Sequence, residues 1–221
     1  GWYEGVQFPY NKESFGIFSD AMPDRWGRTL MKRRALLQAK ERGETPRKLY
    51  ELDFLLGVQD ESRMGAIRFK LDKAGSFLND DLAFPIPPIS SIRELQAAAT
   101  AVELDANDEV LRKWLAILLA PGSSLGGARP KANVYDEYEQ LWIAKFPSKN
   151  DDIDKGAWEF LTYQLAIKAG IQMSSSQLQK VSGKYHTFLT KRFDRHQQER
   201  IHYATAKAMT GNSENSLRNQ T

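Results

Sequence analysis

A short segment rich in glycine and serine carries the residue types most suggestive of chemistry in this 221-residue chain. The segment from Ser123 to Lys131 holds two serines, paired glycines and a basic end. Backbone N–H groups of such a loop can approach phosphate oxygens closely, so the segment predicts a phosphate-binding site. The alternative is a purely conformational loop, because Gly-Ser segments occur wherever a backbone must turn.

A lysine and a glutamate further along the chain strengthen the phosphate interpretation. Lys145 lies in the apolar run 141–146, where a lone cation is costly unless it is paired. Glu159 follows on a predicted helix, and a strand lysine held by a helix glutamate is the ion pair that protein kinases require. The alternative is a lysine that snorkels to solvent and an exposed glutamate. The order of loop, lysine and glutamate favours the ion pair.

Hydrophobic periodicity indicates the elements that position these residues. In the first part it predicts helices over 24–42, 47–57, 91–103 and 108–120, a strand over 66–71 and a proline-rich linker over 84–89. In the second part it predicts strands over 131–135, 140–146, 187–193 and 200–204, and a helix over 154–170 with Trp158, Leu161, Leu165 and Ala166 facing inward. The order predicts an α+β fold: a small, mostly helical N-terminal subdomain at 1–88, then antiparallel strands and one helix at 89–221.

Composition excludes several classes of function. The chain has no cysteine and three histidines, so disulfides, thiolate metal sites and histidine-built centres are not expected. No apolar run approaches the ~20 residues that span a bilayer, which predicts a soluble, cytoplasmic protein without a membrane partner. The net charge of +3 is too small to indicate nucleic-acid binding. The basic cluster from Lys32 to Arg42 is interpreted as the solvated face of a helix, with a patch facing DNA or a protein partner as the alternative.

Five segments carry a family resemblance: 15–28, 56–65, 124–131, 142–147 and 191–195. They are similar, in this order, to the N-terminal signature, its continuation, the phosphate loop, the nucleotide-lysine strand and the hinge of the HipA-like serine/threonine kinases. These kinases are toxins of bacterial toxin–antitoxin pairs. The resemblance runs from about Phe15 to Gly211 and implies a kinase-like ATP-binding lobe in the second domain.

The resemblance implies roles for the matching positions only. It places ATP at the residues Ser124, Gly126, Gly127, Ala128, Lys131, Lys145, Glu159, Lys191, Arg192 and Phe193. Lys145 would hold the α- and β-phosphates, Glu159 would orient it, and backbone groups of the hinge 191–193 would bind adenine. The family usually has Glu where this chain has Lys191. Ser124, with Ser123 as a second candidate, would be autophosphorylated, and the added charge of about −1.5 to −2 would repel ATP and eject the loop.

Catalysis in the family also requires an Asp, an Asn five residues later and a metal-binding Asp, all from a helical C-terminal lobe. Glu214 and Asn219 have that spacing, but Glu replaces Asp, so they are weak candidates, and no metal ligand is identified. Only 26 residues follow Arg195 and 14 precede Phe15. We therefore expect a chain that lacks the catalytic lobe, is incomplete at its start and cannot complete phosphoryl transfer alone.

Two functions follow from the resemblance. The first is an ATP- and Mg²⁺-dependent kinase that phosphorylates a Ser or Thr of a protein target and its own loop serine. In the best-known members the target is an aminoacyl-tRNA synthetase, the partner is a HipB-like antitoxin, and DNA is contacted only through that antitoxin. The alternative is a non-catalytic remnant or binding module that docks an antitoxin or another partner chain.

Overall fold

The computed structural model describes residues 6, 8, 16–80, 85–104, 108–122, 127–197 and 199–210. The helices in these ranges are α1 Gly16–Ala21, α2 Arg25–Arg42, α3 Glu51–Leu56, α4 Ile92–Glu103, α5 Asp108–Gly122, α6 Lys155–Lys168 and α7 Ala206–Thr210. The strands are β1 Lys131–Tyr135, β2 Leu141–Lys145, β3 Ser176–Gln179, β4 Thr187–Lys191, β5 Arg195–His196 and β6 Glu199–Arg200. The predicted α+β class is confirmed.

Strands β1 to β4 form one antiparallel sheet with the order β1-β2-β4-β3. Successive side chains of a strand alternate between the two faces of the sheet. One face, carrying Ala132, Val134 and Ala144, is buried in a core shared with α2, α4 and α5. The opposite face carries Lys131 and Lys145, which therefore lie away from this core.

Helix α2 joins the N-terminal part of the chain to the same core. Asp24 caps its first turn and accepts a hydrogen bond from the Arg25 N–H, while Gly43 ends the helix in the left-handed conformation at φ 67°. Its residues Trp26, Leu30 and Leu37 are buried in the core with residues of α5. Burying a large apolar side chain contributes roughly 1.5–3 kcal/mol, so this contact ties the two parts firmly together.

The predicted strand over 66–71 is wrong. Residues 67–70 carry no helix or strand pairing in the structure, although their side chains do alternate in their contacts. Phe69 packs on Phe18, whereas Arg68 stacks over Phe77 and donates hydrogen bonds to Asp60. The alternation therefore arises because successive side chains of this segment contact two different sets of residues, and not because the segment pairs with a strand.

The predicted helix over 154–170 is confirmed as α6, but its predicted buried face is wrong. Trp158, Leu161 and Leu165 are 58%, 43% and 56% exposed, and Ala166 is half-buried. The helix is apolar around much of its circumference, and the stripe containing Gly156 and Phe160 is the less exposed one. Periodicity identifies an apolar stripe, but it cannot choose between two of them.

Smaller differences concern the ends of elements. The helix predicted over 47–57 is limited to α3, and the strand predicted over 187–193 ends at Lys191. The strand predicted over 200–204 is wrong beyond Arg200, because 201–204 carry no strand pairing and the last hairpin joins β5 to β6. Strand β3 was not predicted because its sequence, Ser-Gln-Leu-Gln, is mostly polar. None of the helices in the described ranges is long and apolar enough to cross a membrane.

The proline-rich segment, described from Pro85 onward, lies against the edge of the sheet. Ile86 is buried, the Tyr135 N–H donates to the Pro87 carbonyl at 3.0 Å, and Pro88 forms an isolated bridge with Tyr135. The segment is thus docked along β1. The division into domains 1–88 and 89–221 stays a prediction.

Candidate functional site

The end of the glycine-rich loop lies directly against a lysine. Gly127 has a φ of 89°, in the region that favours glycine, and both Gly127 and Ala128 are exposed. A Cβ atom on Gly127 would lie 2.7 Å from the Lys131 Nζ atom, so a side chain at this position would displace the amine. Three predicted site residues, Ser123, Ser124 and Gly126, lie outside the described residues.

Two lysines face each other across strands β1 and β2. Lys131 and Lys145 are direct partners in the strand register, so their side chains leave the sheet on the same face. Like charges placed directly opposite each other destabilise a sheet. Glu159 of α6 forms an ion pair with Lys145, and the Lys145 Nζ atom lies 5.4 Å from the centre of the Phe188 ring. The arrangement confirms the contact expected between Lys145 and Glu159, and it concentrates positive charge beside the loop.

Lys131 is almost completely buried, with 4% of its surface exposed. Burial and the neighbouring charge of Lys145 lower the pKa of Lys131 to about 8, although Asp24 and Glu159 act in the opposite direction. A buried ammonium next to a second ammonium is costly. An anion that contacted both amines would remove much of that cost, which makes this position suitable for a phosphate group.

Contacts at the start of α6 position Glu159. The Asp154 carboxylate accepts a hydrogen bond from the Ala157 N–H at 3.1 Å and also binds the backbone and ring of His186. Gly156 sits so close to the His186 carbonyl that a Cβ atom there would clash with backbone. This close approach allows the first turn of α6 to lie against the start of β4, and Glu159 follows on the same side of the helix.

A partly buried ion pair holds the junction between the loop and β1. Arg129 binds Asp151 with both of its terminal nitrogens at 2.7 Å and donates to the Phe146 carbonyl at 3.1 Å. The Phe146 N–H in turn donates to the Pro130 carbonyl at 2.9 Å. These bonds fix where the loop enters β1. Sequence reasoning missed this pair, because no spacing rule connects Arg129 with Asp151.

The start of α2 also contacts the loop. The Asp24 carboxylate accepts a hydrogen bond from the Gly127 N–H, and the Trp26 N–H donates to the Gly127 carbonyl at 3.2 Å. The indole N–H of Trp26 donates to the Lys131 carbonyl at 2.9 Å. Burial acts to raise the pKa of Asp24, but the N–H groups of Gly127 and Arg25 and the charge of Lys131 hold it below its usual range. In the sequence, Asp24 stands at the start of the predicted helix 24–42 and within the segment 15–28, and neither pattern indicates a contact with the loop.

The predicted hinge lies at the other end of β4. Phe188 pairs with Lys145 and Lys191 pairs with Trp142, so Lys191 is about 10 Å from the lysine pair along the strand. The N–H groups of Lys191 and Arg192 donate to the carbonyls of Ser175 and Leu141 at 2.8 Å. The Phe193 side chain is exposed and meets the edge of Tyr203. The contact of 191–193 with adenine stays a prediction.

A buried ionic cluster surrounds this hinge. Asp194 accepts hydrogen bonds from Arg192, Arg195 and the Gly65 N–H at 2.6–2.8 Å. The remaining nitrogens of the two arginines donate to backbone carbonyls of the segment 61–65 and to Asn133 on β1. Burial acts to raise the pKa of Asp194, yet the two guanidinium groups keep it below its usual range. The cluster therefore fastens the N-terminal segment to the hinge.

The remaining predicted groups are outside this geometry. Glu214 and Asn219 lie beyond the described residues. Within the part of the chain that the structure describes, no group of three His, Cys, Asp or Glu side chains could hold a metal ion. The amines of Lys131 and Lys145 lie on one face of the sheet beside Gly127, and two neighbouring amines suit an anionic group.

A family model provides one match to the chain. The model of the HipA-like C-terminal domain matches residues 123–220, a little under half of the sequence. The matched part contains the glycine-rich loop, the four-stranded sheet, α6 and the hinge. It supports the HipA-like family. No curated protein and no solved structure was found to match the chain.

Proposed function

We propose that this chain binds MgATP and is the nucleotide-binding part of a HipA-like serine/threonine kinase. The observation that carries the proposal is the pairing of Lys131 with Lys145 across β1 and β2, with Glu159 on Lys145 and Gly127 against Lys131. Kinases hold nucleotide phosphates with a strand lysine that a helix glutamate orients. The HipA-like match covers these same residues.

The chemistry of the site favours a polyphosphate over a single carboxylate or phosphate. Two adjacent amines provide up to six N–H donors and two positive charges, which suits a ligand with several anionic oxygens. Gly127 is exposed and carries no side chain, which leaves space for a ligand next to the Lys131 amine. In this proposal Lys145 holds the α- and β-phosphates and Lys131 adds a second cation beside the loop.

The proposed adenine position is the hinge. The half-buried residues Ile143 and Thr190 lie on the site face of the sheet between the lysine pair and Lys191. A half-buried surface without charged groups suits the ribose and the base better than it suits the phosphates. Phe193 lies between the buried Arg192 and Asp194, and its exposed ring is available to contact a base.

The proposed reaction is transfer of the γ-phosphate of ATP to a Ser or Thr of a protein target and to loop residue Ser124 or Ser123. Magnesium would enter with the nucleotide, since Mg²⁺ is usually held by substrate phosphates, waters and one or two carboxylates. A HipB-like antitoxin as partner, an aminoacyl-tRNA synthetase as target and DNA contact through the antitoxin are carried over from the family resemblance.

A second candidate is a non-catalytic module that docks an antitoxin or another partner chain. The observation that favours it is the exposed apolar stripe of α6, formed by Trp158, Leu161 and Leu165. Large exposed apolar patches are typical of interaction sites. Substitutions separate the two candidates. MgATP binding depends on Lys145, whereas partner docking depends on the apolar stripe, which does not include Lys145.

Calorimetric titration with MgATP tests the first candidate. We expect saturable binding by the wild type and loss of binding in Lys145→Ala. Lys168→Ala is the control and should bind like the wild type, because Lys168 is an exposed residue at the end of α6, the helix that carries Glu159. Absence of binding by the folded wild type would contradict the proposal. A Leu161→Glu variant that loses a partner while keeping MgATP affinity would support the second candidate.

A further inference from the structure

The start of α2 and the end of the glycine-rich loop are joined by three hydrogen bonds between residues far apart in the sequence. Asp24 and Trp26 provide one side, and Gly127 and Lys131 provide the other. Two of the bonds fix the N–H and the carbonyl of the same glycine. A residue with φ 89° held at both of its polar atoms cannot rotate without breaking one of these bonds.

The two carboxylate oxygens of Asp24 have separate tasks. Oδ1 accepts from the Arg25 N–H at 2.7 Å and caps α2, whereas Oδ2 accepts from the Gly127 N–H. Asp24 also attracts the buried amine of Lys131. One side chain thus links the long helix α2 with the loop and with a lysine of the candidate site.

Helix α2, which provides Asp24 and Trp26, packs into the core. Helix α2 is 18 residues long, and Trp26, only 3% exposed, packs into the same core as the sheet. The indole N–H reaches the first residue of β1 at 2.9 Å. Movement of the loop end relative to β1 is therefore limited by an element outside the part of the chain that matches the HipA-like domain.

We propose that Asp24 is a positioning residue, which fixes the end of the phosphate loop by holding the Gly127 amide and so keeps Lys131 in place for the nucleotide. The effect on nucleotide affinity depends on the proposed function. The effect on the loop does not, and it is measured separately. This assigns a role in the nucleotide site to the N-terminal part of the chain.

Two substitutions separate the cap from the loop contact. Ser caps helices as well as Asp but is too short to reach Gly127, so Asp24→Ser keeps the cap and removes the loop contact. Glu is a poorer N-cap but has a longer carboxylate, so Asp24→Glu weakens the cap and keeps the loop contact. Asp53→Ser is the control, because Asp53 accepts from the Tyr50 N–H at the start of α3, away from the loop.

Hydrogen–deuterium exchange of the full chain is the first readout. We expect amides of 127–131 to exchange about tenfold faster or more in Asp24→Ser and at the wild-type rate in Asp24→Glu and Asp53→Ser. The first turn of α2 should show the reverse order for the two Asp24 variants. Unchanged exchange of 127–131 in Asp24→Ser, or equal effects of both Asp24 variants, would overturn the proposal.

MgATP affinity is the second readout. We expect the dissociation constant to rise at least fivefold in Asp24→Ser, to stay within twofold in Asp24→Glu, and to be unchanged in Asp53→Ser. Tighter binding in Asp24→Ser would show that Asp24 competes with phosphate for the Gly127 amide, and would overturn the positioning role. If the wild type does not bind MgATP, the proposed function fails, while the exchange experiment still decides the role of Asp24 in the loop.

Discussion

Lys131 and Lys145 lie directly opposite each other on neighbouring strands, with their amines on the same face of the sheet. A fold without a use for this pair would be more stable with an uncharged residue at one of the two positions. Glu159 forms an ion pair with Lys145, Asp24 and Glu159 both attract the charge of Lys131, and Lys131 is nearly buried beside Gly127. The pair is therefore the feature of this chain most easily explained by an anionic ligand.

Nucleotide affinity should depend on pH through Lys131. Its pKa of about 8 means that the amine loses its proton as the pH rises from 7.5 to 9. If the protonated amine binds phosphate, MgATP affinity should fall over this range by roughly five- to tenfold. Calorimetry at several pH values measures the slope, and Lys131→Met should bind weakly at every pH. A wild-type affinity that is constant up to pH 9 would exclude a contact of this amine with the nucleotide.

Removal of Asp194 should strongly destabilise the fold. Asp194→Ala leaves the buried charge of Arg192 without its carboxylate, and breaking a buried pair costs about 3–5 kcal/mol. Urea unfolding followed by tryptophan fluorescence measures the loss. The control is Asp152→Ala, which removes an exposed ion pair with Lys155 and should have a much smaller effect on the free energy of unfolding. Equal effects of the two substitutions would show that the cluster contributes little.

The hydrogen bond donated by the Trp26 indole N–H should contribute clearly to the free energy of unfolding. Trp26→Phe keeps most of the packing but leaves the Lys131 carbonyl without its donor, at a cost of about 1–3 kcal/mol. Trp158→Phe is the matched control, since Trp158 is mostly exposed to solvent. The free energies of unfolding should differ clearly between the two variants. A loss confined to Trp158→Phe would contradict the assignment.

Gly156 should not tolerate a methyl group. In Gly156→Ala the new Cβ would clash with the His186 carbonyl, so α6 must move away from β4 at a cost of about 1–3 kcal/mol. Because α6 carries Glu159, MgATP binding should weaken as well. Gly75→Ala is the control: its nearest neighbour would be the flexible Asp72 carboxylate at 3.3 Å. Urea unfolding and calorimetry of both variants check the prediction, and an unaffected Gly156→Ala would show that α6 can shift freely.

The sequence predicted those features that depend on local pattern. Strand β1 and the ion pair of Lys145 with Glu159 were expected from alternation and from the order of residue types, and both are present. Contacts between segments that are distant in the sequence could not be predicted in this way. The contacts of Asp24 with Gly127 and of Arg129 with Asp151 join distant segments, and no local signal indicates such pairs. The exposed face of α6 was mispredicted because both of its stripes are apolar.

Chemical labelling of lysines tests the central claim most directly. An acyl-phosphate derivative of ATP transfers its acyl group to amines that lie beside the bound phosphates, and peptide mass spectrometry then identifies them. Our account predicts labelling of Lys131 and Lys145, suppressed by excess MgATP, with surface lysines such as Lys168 labelled slowly and without competition. Labelling restricted to surface lysines, or labelling of the pair that excess MgATP does not reduce, would contradict it.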